Sequence, residues 1–181
     1  MKSFGTSAPS AREALCRSLP GQDSDTPSTA PLSIRLGTPR DREVVQAIAA
    51  ESMKEFGLVA DFANLDRELG LFGAGSTATA AEFVAEKRGQ VLGSLILVRI
   101  DPQSLKLCGF YVRADSRGCG AGRKLLAHAI AFAKAAGYRR ISLETWSAME
   151  SALYLYRAFG WVPIRRLDPA SGAEWLYLLE W

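Results

Sequence analysis

VRADSRGCGAGR, residues 112–123, is the stretch that decides the fold. An apolar run precedes it and residues with helical periodicity follow it, so a strand enters the stretch and a helix leaves it. Gly118, Gly120 and Gly122 allow the backbone to approach a ligand closely and to turn its amide N–H groups toward one point. Those donors add to the positive end of the following helix dipole, which indicates a loop that binds phosphate.

The spacing of the glycines separates three kinds of phosphate loop. A dinucleotide-binding loop, G-x-G-x-x-G, needs its third glycine where Arg123 stands. A Walker loop needs four residues between its glycines and then Gly-Lys-Ser/Thr, and the stretch lacks that order. What remains is R-x-x-G-x-G, formed by Arg117, Gly120 and Gly122, with Arg123 and Lys124 as additional positive charge.

Periodicity along the rest of the chain places this loop in the order β-α-α-β-β-β-α-β-α-β-β. Strands are predicted at residues 32–36, 83–86, 91–100, 105–112, 141–145, 162–167 and 175–180. In the first of them Leu32, Ile34 and Leu36 alternate with polar neighbours, as in a half-buried strand. Helices are predicted at residues 39–56, 64–69, 120–136 and 152–159; Thr38 caps the first, and its buried face runs from Val45 to Phe56. A helix between two strands implies a right-handed parallel crossover in an otherwise antiparallel sheet.

Composition excludes several classes of function. The 181 residues suit one domain, and 22 basic against 19 acidic residues leave a net charge of +3, too little to indicate a nucleic-acid partner. No apolar run approaches the roughly 20 residues of a membrane span. Three scattered cysteines and one histidine indicate neither a metal site nor a disulfide framework, so we expect a cytoplasmic protein without a metal.

Residues 1–31 differ in composition from the rest of the chain. They are crowded with Ser, Thr, Pro, Gly and Ala and contain few large apolar side chains. Such a segment cannot bury enough apolar surface to fold, so it is predicted to be a disordered extension. A transit peptide is disfavoured by Glu13, Asp23 and Asp25. The folded domain is predicted to span residues 32–181.

The loop and the element order together resemble the GNAT superfamily of acetyl-CoA-dependent N-acetyltransferases. The resemblance runs from Leu32 to the C-terminus and is most specific over residues 110–123. Residues 152–161, ALYLYRAFGW, are similar to the family's A-x-x-x-Y-x-x-x-G-aromatic helix. The chain departs from the family at Met149, where many relatives have asparagine, and at Trp161, where many have phenylalanine.

The resemblance implies an α/β fold of mixed, mostly antiparallel type, with a seven-stranded sheet splayed between its fourth and fifth strands and about four flanking helices. It also implies acetyl-CoA as the acetyl donor, with pantetheine in the opening against backbone groups of Phe110, Tyr111 and Val112. The loop that would hold the pyrophosphate comprises Arg117, Gly118, Cys119, Gly120, Ala121, Gly122 and Arg123.

Two side chains are candidates for proton transfer. A lysine-like amine is almost wholly protonated at neutral pH, so a base must take its proton, and Glu144 at the end of the fifth strand is the candidate. The alternative is a solvated or ion-paired strand residue. Tyr156 matches the tyrosine of the family helix and is the candidate acid for the departing thiolate; the alternative is a core tyrosine on an apolar helix face.

The predicted function is transfer of an acetyl group to an amine, with a small molecule as the expected acceptor. Two alternatives stay open: acetylation of protein amino groups, and a non-catalytic sensor that binds acetyl-CoA without turnover. Residues 53–72 are predicted to cover the acceptor, with Glu55, Asp61, Asp66 and Glu68 available to attract a cation. Acids of this kind are more often plain helix-surface charge, and the oligomeric state, a homodimer included, stays open.

Overall fold

The order of helices and strands follows the order that periodicity predicts. A computed structural model describes residues 30–168, 170 and 172–181, so nearly all of the extension predicted at residues 1–31 lies outside the described residues. The strands are β1 (Ser33–Leu36), β2 (Thr79–Lys87), β3 (Gln90–Asp101), β4 (Ser104–Val112), β5 (Arg140–Thr145), β6 (Val162–Arg166) and β7 (Trp175–Glu180). The helices are α1 (Arg42–Lys54), α2 (Arg67–Gly70), α3 (Ala121–Ala135) and α4 (Glu150–Ala158).

All seven strands form one sheet in the order β1-β2-β3-β4-β5-β7-β6. Every pair is antiparallel except β4 and β5, which pair in parallel from Ser104–Arg140 to Leu107–Leu143 and no further. Beyond Leu107 the two strands separate, while β4 continues to Val112. The mixed sheet and its opening between the fourth and fifth strands are therefore confirmed.

Each face of the sheet carries its own core. Leu125, Leu126 and Ala129 of α3, with Leu153 and Tyr156 of α4, pack on one face. On the other face, the α1 residues Val45, Ile48 and Ala49 and the α2 residue Leu69 pack against Val84 and Ile96 of the sheet. Because helices cover both faces, the central strand β3 is buried at every residue from Val91 to Leu97.

The start of the first helix is tied to strand β1. The Thr38 backbone N–H and its hydroxyl both donate to Asp41 Oδ2 at 2.8 Å, as in a capping box. Arg35 donates to both oxygens of Asp41 at 2.8 Å. A short 3₁₀ turn over Pro39–Asp41 precedes α1, so the regular helix begins at Arg42, three residues later than predicted.

Three local expectations are wrong. Phe56 does not continue the buried face of α1, because the helix ends at Lys54 and the Phe56 side chain is 41% exposed. Leu36 is 63% exposed, because it ends an edge strand where the chain turns toward the Thr38 cap. Strand β2 starts at Thr79 rather than residue 83, since small residues carry little hydrophobic alternation.

Candidate functional site

A cleft of about 590 Å³ lies where β4 leaves β5. Its walls come from the end of β4, the glycine loop, the first turns of α3 and α4, and the end of α1. All the predicted coenzyme-binding residues except Cys119 line it: Phe110, Tyr111, Val112, Arg117, Gly118, Gly120, Ala121, Gly122 and Arg123. The Cys119 side chain is exposed and does not line the cleft.

The glycine loop presents backbone donors to this cleft. Gly118 and Gly120 have φ angles of +79° and +88°, which residues with a side chain rarely adopt. Gly120 is the N-cap of α3 and has no side chain to cap the helix. The first hydrogen bond of the helix runs from the Lys124 N–H to the Gly120 carbonyl at 3.0 Å. The preceding amides have no partner within the helix, so they are free to bind an anion.

A second helix begins at the same cleft. Met149, Glu150 and Ser151 at the start of α4 line it, and the Met149 side chain makes no capping hydrogen bond. The positive ends of two helix dipoles therefore point at one cavity. A Cβ atom at Gly122 would lie 3.1 Å from Leu155 Cδ1, so a glycine lets α3 and α4 approach this closely. A coenzyme with a diphosphate fits such a cradle.

A β-bulge shapes the wall that β4 contributes. Ser94 pairs with Tyr111 and Ile96 with Cys108, so β4 carries one extra residue between these pairs. Gly109 takes a φ of +57° there, and a Cβ atom on it would lie 2.8 Å from Ile96 Cδ1. The buried Ser94 hydroxyl donates to the Gly109 carbonyl at 2.9 Å.

The bulge directs Phe110 toward the α3–α4 core and Tyr111 toward the α1–α2 core, beyond the point where β5 has separated. Backbone groups on that side of β4 are thus available to a ligand. Sequence reasoning missed the bulge, although a lone glycine inside an apolar strand is its usual signal.

Tyr156 lies behind the cleft wall rather than in it. Its ring packs between Phe110, at 5.8 Å between centroids, and Trp161, at 5.9 Å. Phe110 lines the cleft, and Tyr156 does not. Burial raises the pKa of the Tyr156 hydroxyl, with a smaller contribution from Tyr111, so the phenol keeps its proton well above neutral pH. Its role as an acid stays a prediction.

Glu144 lies on the opposite face of the sheet from Tyr156. Its neighbours Leu143 and Thr145 point into the α3–α4 side of β5, whereas the Glu144 side chain is one-third exposed. Lys106 Nζ on β4 lies 2.8 Å from Glu144 Oε2, an ion pair across the strands just before they separate. Sequence reasoning did not single out Lys106. Whether Glu144 acts as a base stays a prediction.

Two other side chains that could be reactive, Cys108 and His128, have structural explanations. The Cys108 thiol is held on the α1–α2 side, and burial raises its pKa to about 12, so it stays protonated at neutral pH, the form that is a poor nucleophile. His128 is exposed on α3, and its ring centroid lies 4.8 Å from that of Phe83 in an edge-to-face arrangement. Within residues 30–168, 170 and 172–181, no group of three acidic, His or Cys side chains could hold a metal ion. In that part of the chain no helix is both long enough and apolar enough to span a bilayer.

Known proteins share this fold and this sequence pattern. The profile of the Acetyltransferase (GNAT) family matches residues 45–161. An uncharacterized N-acetyltransferase of Schizosaccharomyces pombe is 27% identical over 125 residues, which cover 67% of this chain and 77% of that protein. A GNAT-family acetyltransferase from Staphylococcus aureus superposes with a TM-score of 0.72 at 20% identity, over 83% of this chain and 99% of that one. A Salmonella typhimurium protein described as an acetyltransferase, solved with its cofactor acetyl-CoA, gives a TM-score of 0.65 at 18% identity, over 82% and 93%.

Proposed function

This chain belongs to the GNAT family of acetyltransferases, and on that premise we propose that it acetylates the primary amine of a small molecule by direct attack in a ternary complex. That it is an acyltransferase acting with acetyl-CoA follows from the family and its relatives. The observation that carries the proposal is the cleft at the β4–β5 opening, toward which two helix N-termini point. Bound acetyl-CoA supplies an activated acetyl thioester there.

The end of α1 supports a small acceptor. Ser52, Glu55 and Phe56 line the cleft together with β4 and the glycine loop, so the cavity is walled on the α1 side. An amine on a small, flexible molecule reaches such a site more easily than one on the surface of a folded protein. Acetylation of protein amino groups is the competing outcome.

Tyr156 and Glu144 divide the proton transfers in this proposal. Tyr156 holds its proton at Oη, because burial raises its pKa, and donates it to the coenzyme sulfur as the carbon–sulfur bond breaks. Glu144 accepts the proton of the attacking amine at Oε1, since Oε2 is bound by Lys106. The backbone along Phe110–Val112 orients the donor, and the amides that begin α3 bind its diphosphate.

The proposal is tested by incubating the purified protein with acetyl-CoA and pooled small amines while thiol release is followed. We expect release that depends on at least one amine, with the acetylated product identified by mass spectrometry. Peptides with free amino termini and lysines form the comparison arm. Release only with peptides would support a protein substrate, and tight acetyl-CoA binding without release in either arm would support a sensor.

A further inference from the structure

Arg117 is fully engaged by a partner that sequence reasoning did not assign to it. Its Nη1 lies 2.6 Å from Glu55 Oε2 and its Nη2 lies 2.9 Å from Glu55 Oε1. The same Nη2 approaches the Ser52 hydroxyl at 3.5 Å, and Nε donates to the Val112 carbonyl at 3.3 Å. The carboxylate therefore occupies the fork of the guanidinium, the geometry with which arginine also binds phosphate.

This ion pair bridges the cleft. Glu55 caps the C-terminal end of α1 on one wall, and Arg117 belongs to the glycine loop on the other. A carboxylate at a helix C-terminus is unfavourable for the helix dipole, so the stability of α1 does not explain Glu55. The neighbouring guanidinium lowers the pKa of Glu55, which keeps it ionised at neutral pH.

The Glu55–Arg117 ion pair matters for coenzyme binding because the cleft has few other charged residues. Its charged lining residues are Glu55, Glu150, Arg117 and Arg123, two of each sign. A coenzyme with several phosphates therefore meets a wall whose formal charges cancel. Both partners are partly exposed, 42% for the Arg117 side chain and 38% for that of Glu55, and exposed ion pairs are weak enough for a multiply charged phosphate to displace.

We propose that Glu55 is a built-in competitor for phosphate: its carboxylate occupies Arg117 in the free protein, and coenzyme A must displace it to bind. The inference rests on the proposed function only in taking the cleft as the coenzyme site. Glu55 thereby lowers coenzyme affinity and holds the loop to the end of α1 until the coenzyme arrives.

Isothermal titration with coenzyme A tests this on the full chain, with wild type, Glu55→Gln, Arg117→Met and the double variant. We expect Glu55→Gln to tighten binding by about two- to fivefold, the equilibrium effect of removing one exposed ion pair. This gain in affinity should disappear in the Arg117→Met background, because Glu55 then has no guanidinium to pair with. Glu55→Ser should reproduce it, and thermal melts establish that each variant folds.

Glu150→Gln is the matched control, because Glu150 lines the same cleft and its charge is removed without touching Arg117. Its effect should be smaller and should persist in the Arg117→Met background.

Weaker binding by Glu55→Gln would overturn the proposal and make Glu55 a residue that positions Arg117. A Glu55→Gln gain that survives in Arg117→Met would also overturn it, since bulk charge would then suffice. A wild type that binds coenzyme A but acetylates no amine would refute the proposed function and leave this result intact.

Discussion

Tyr156 and Glu144 illustrate how much the surroundings of a single residue decide. Both are predicted proton-transfer groups, yet one is buried among aromatic rings and the other is one-third exposed beside Lys106. The phenol keeps its proton because burial disfavours the phenolate. The two side chains lie on opposite faces of the sheet.

Tyr156→Phe should lower kcat by roughly 10²–10⁴-fold, the usual scale for a lost general acid or base. KM should change little, because the proton is needed only in the transition state. The ring contacts with Phe110 and Trp161 are retained, so folding and coenzyme affinity should be preserved. Tyr154→Phe, on the same helix but 68% exposed, is the matched control and should leave kcat unchanged. Steady-state kinetics decide, and full activity in Tyr156→Phe would remove the acid role.

Asp41 is a single residue that makes the free energy of unfolding depend on pH. Arg35, and then Thr38, lower the Asp41 pKa from 3.8 to about 2 despite burial. Because the folded pKa is the lower one, the stabilisation is complete above the unfolded value and is lost as the pH falls from about 4 through about 2. Asp41→Asn should lower the free energy of unfolding by about 1–2 kcal/mol at pH 7, the lower range for charged hydrogen bonds, since Arg35 is partly exposed. Urea titrations at pH 7 and pH 2.5 check this, and an equal loss at both would contradict it.

At the scale of elements, α3 and α4 matter through their first turns. Both begin at the cleft without a side-chain cap, so their free amides are kept for an anion. A glycine cap is only slightly less favourable at a helix N-terminus than Ser, Asp or Asn, by about a few tenths of a kcal/mol. The sequence loses helix stability at Gly120 and gains a backbone that a phosphate can approach.

Gly120→Asp places a side chain and a negative charge at that cap. Coenzyme A affinity should fall by about tenfold or more, about 1.4 kcal/mol, because the aspartate competes with phosphate for the same amides. Gly137→Asp controls for backbone strain, because Gly137 has a φ of +85° and Gly120 a φ of +88°. An added Cβ atom would have no neighbour within 4 Å at either position, and Gly137 lies beyond the C-terminal end of α3, away from the loop. Calorimetry measures both, and equal affinity in folded Gly120→Asp and Gly137→Asp would contradict the assignment of the loop.

For the whole molecule, the sheet with helices on both faces accounts for the folded domain from β1 onward. Lys124 Nζ of α3 donates to the Leu32 carbonyl at 2.9 Å, so the domain is fastened as far back as the start of the first strand. The domain boundary drawn at residue 32 stays a prediction, since residues 1–29 lie outside the described chain.

Deleting residues 1–30 should leave the melting temperature and coenzyme affinity nearly unchanged, because their composition cannot bury enough apolar surface to offset the entropy of ordering. The truncated chain keeps the Leu32 carbonyl that Lys124 binds. Thermal melts and calorimetry compare it with the full chain. A melting temperature lowered by several degrees would show that the segment contributes to the domain.

The sequence by itself determined the order of elements and the glycine loop between β4 and α3, and nine of the ten residues predicted to bind the coenzyme line the cleft. These are local patterns: hydrophobic periodicity and glycine spacing report how a segment folds and which way its side chains point within it. Phe56 and Leu36 were misplaced because periodicity does not show where an element ends.

Only the tertiary structure decided which residues from distant segments meet. Arg117 pairs with Glu55, 62 residues away, and Lys106 with Glu144, 38 residues away. The bulge at Gly109 shifts the register of β4, and the parallel pairing stops at Leu107. Such contacts depend on strand register and on how helices pack across the sheet, which no short sequence pattern encodes. The cleft could therefore be predicted from the loop, whereas the carboxylate that occupies its arginine could not.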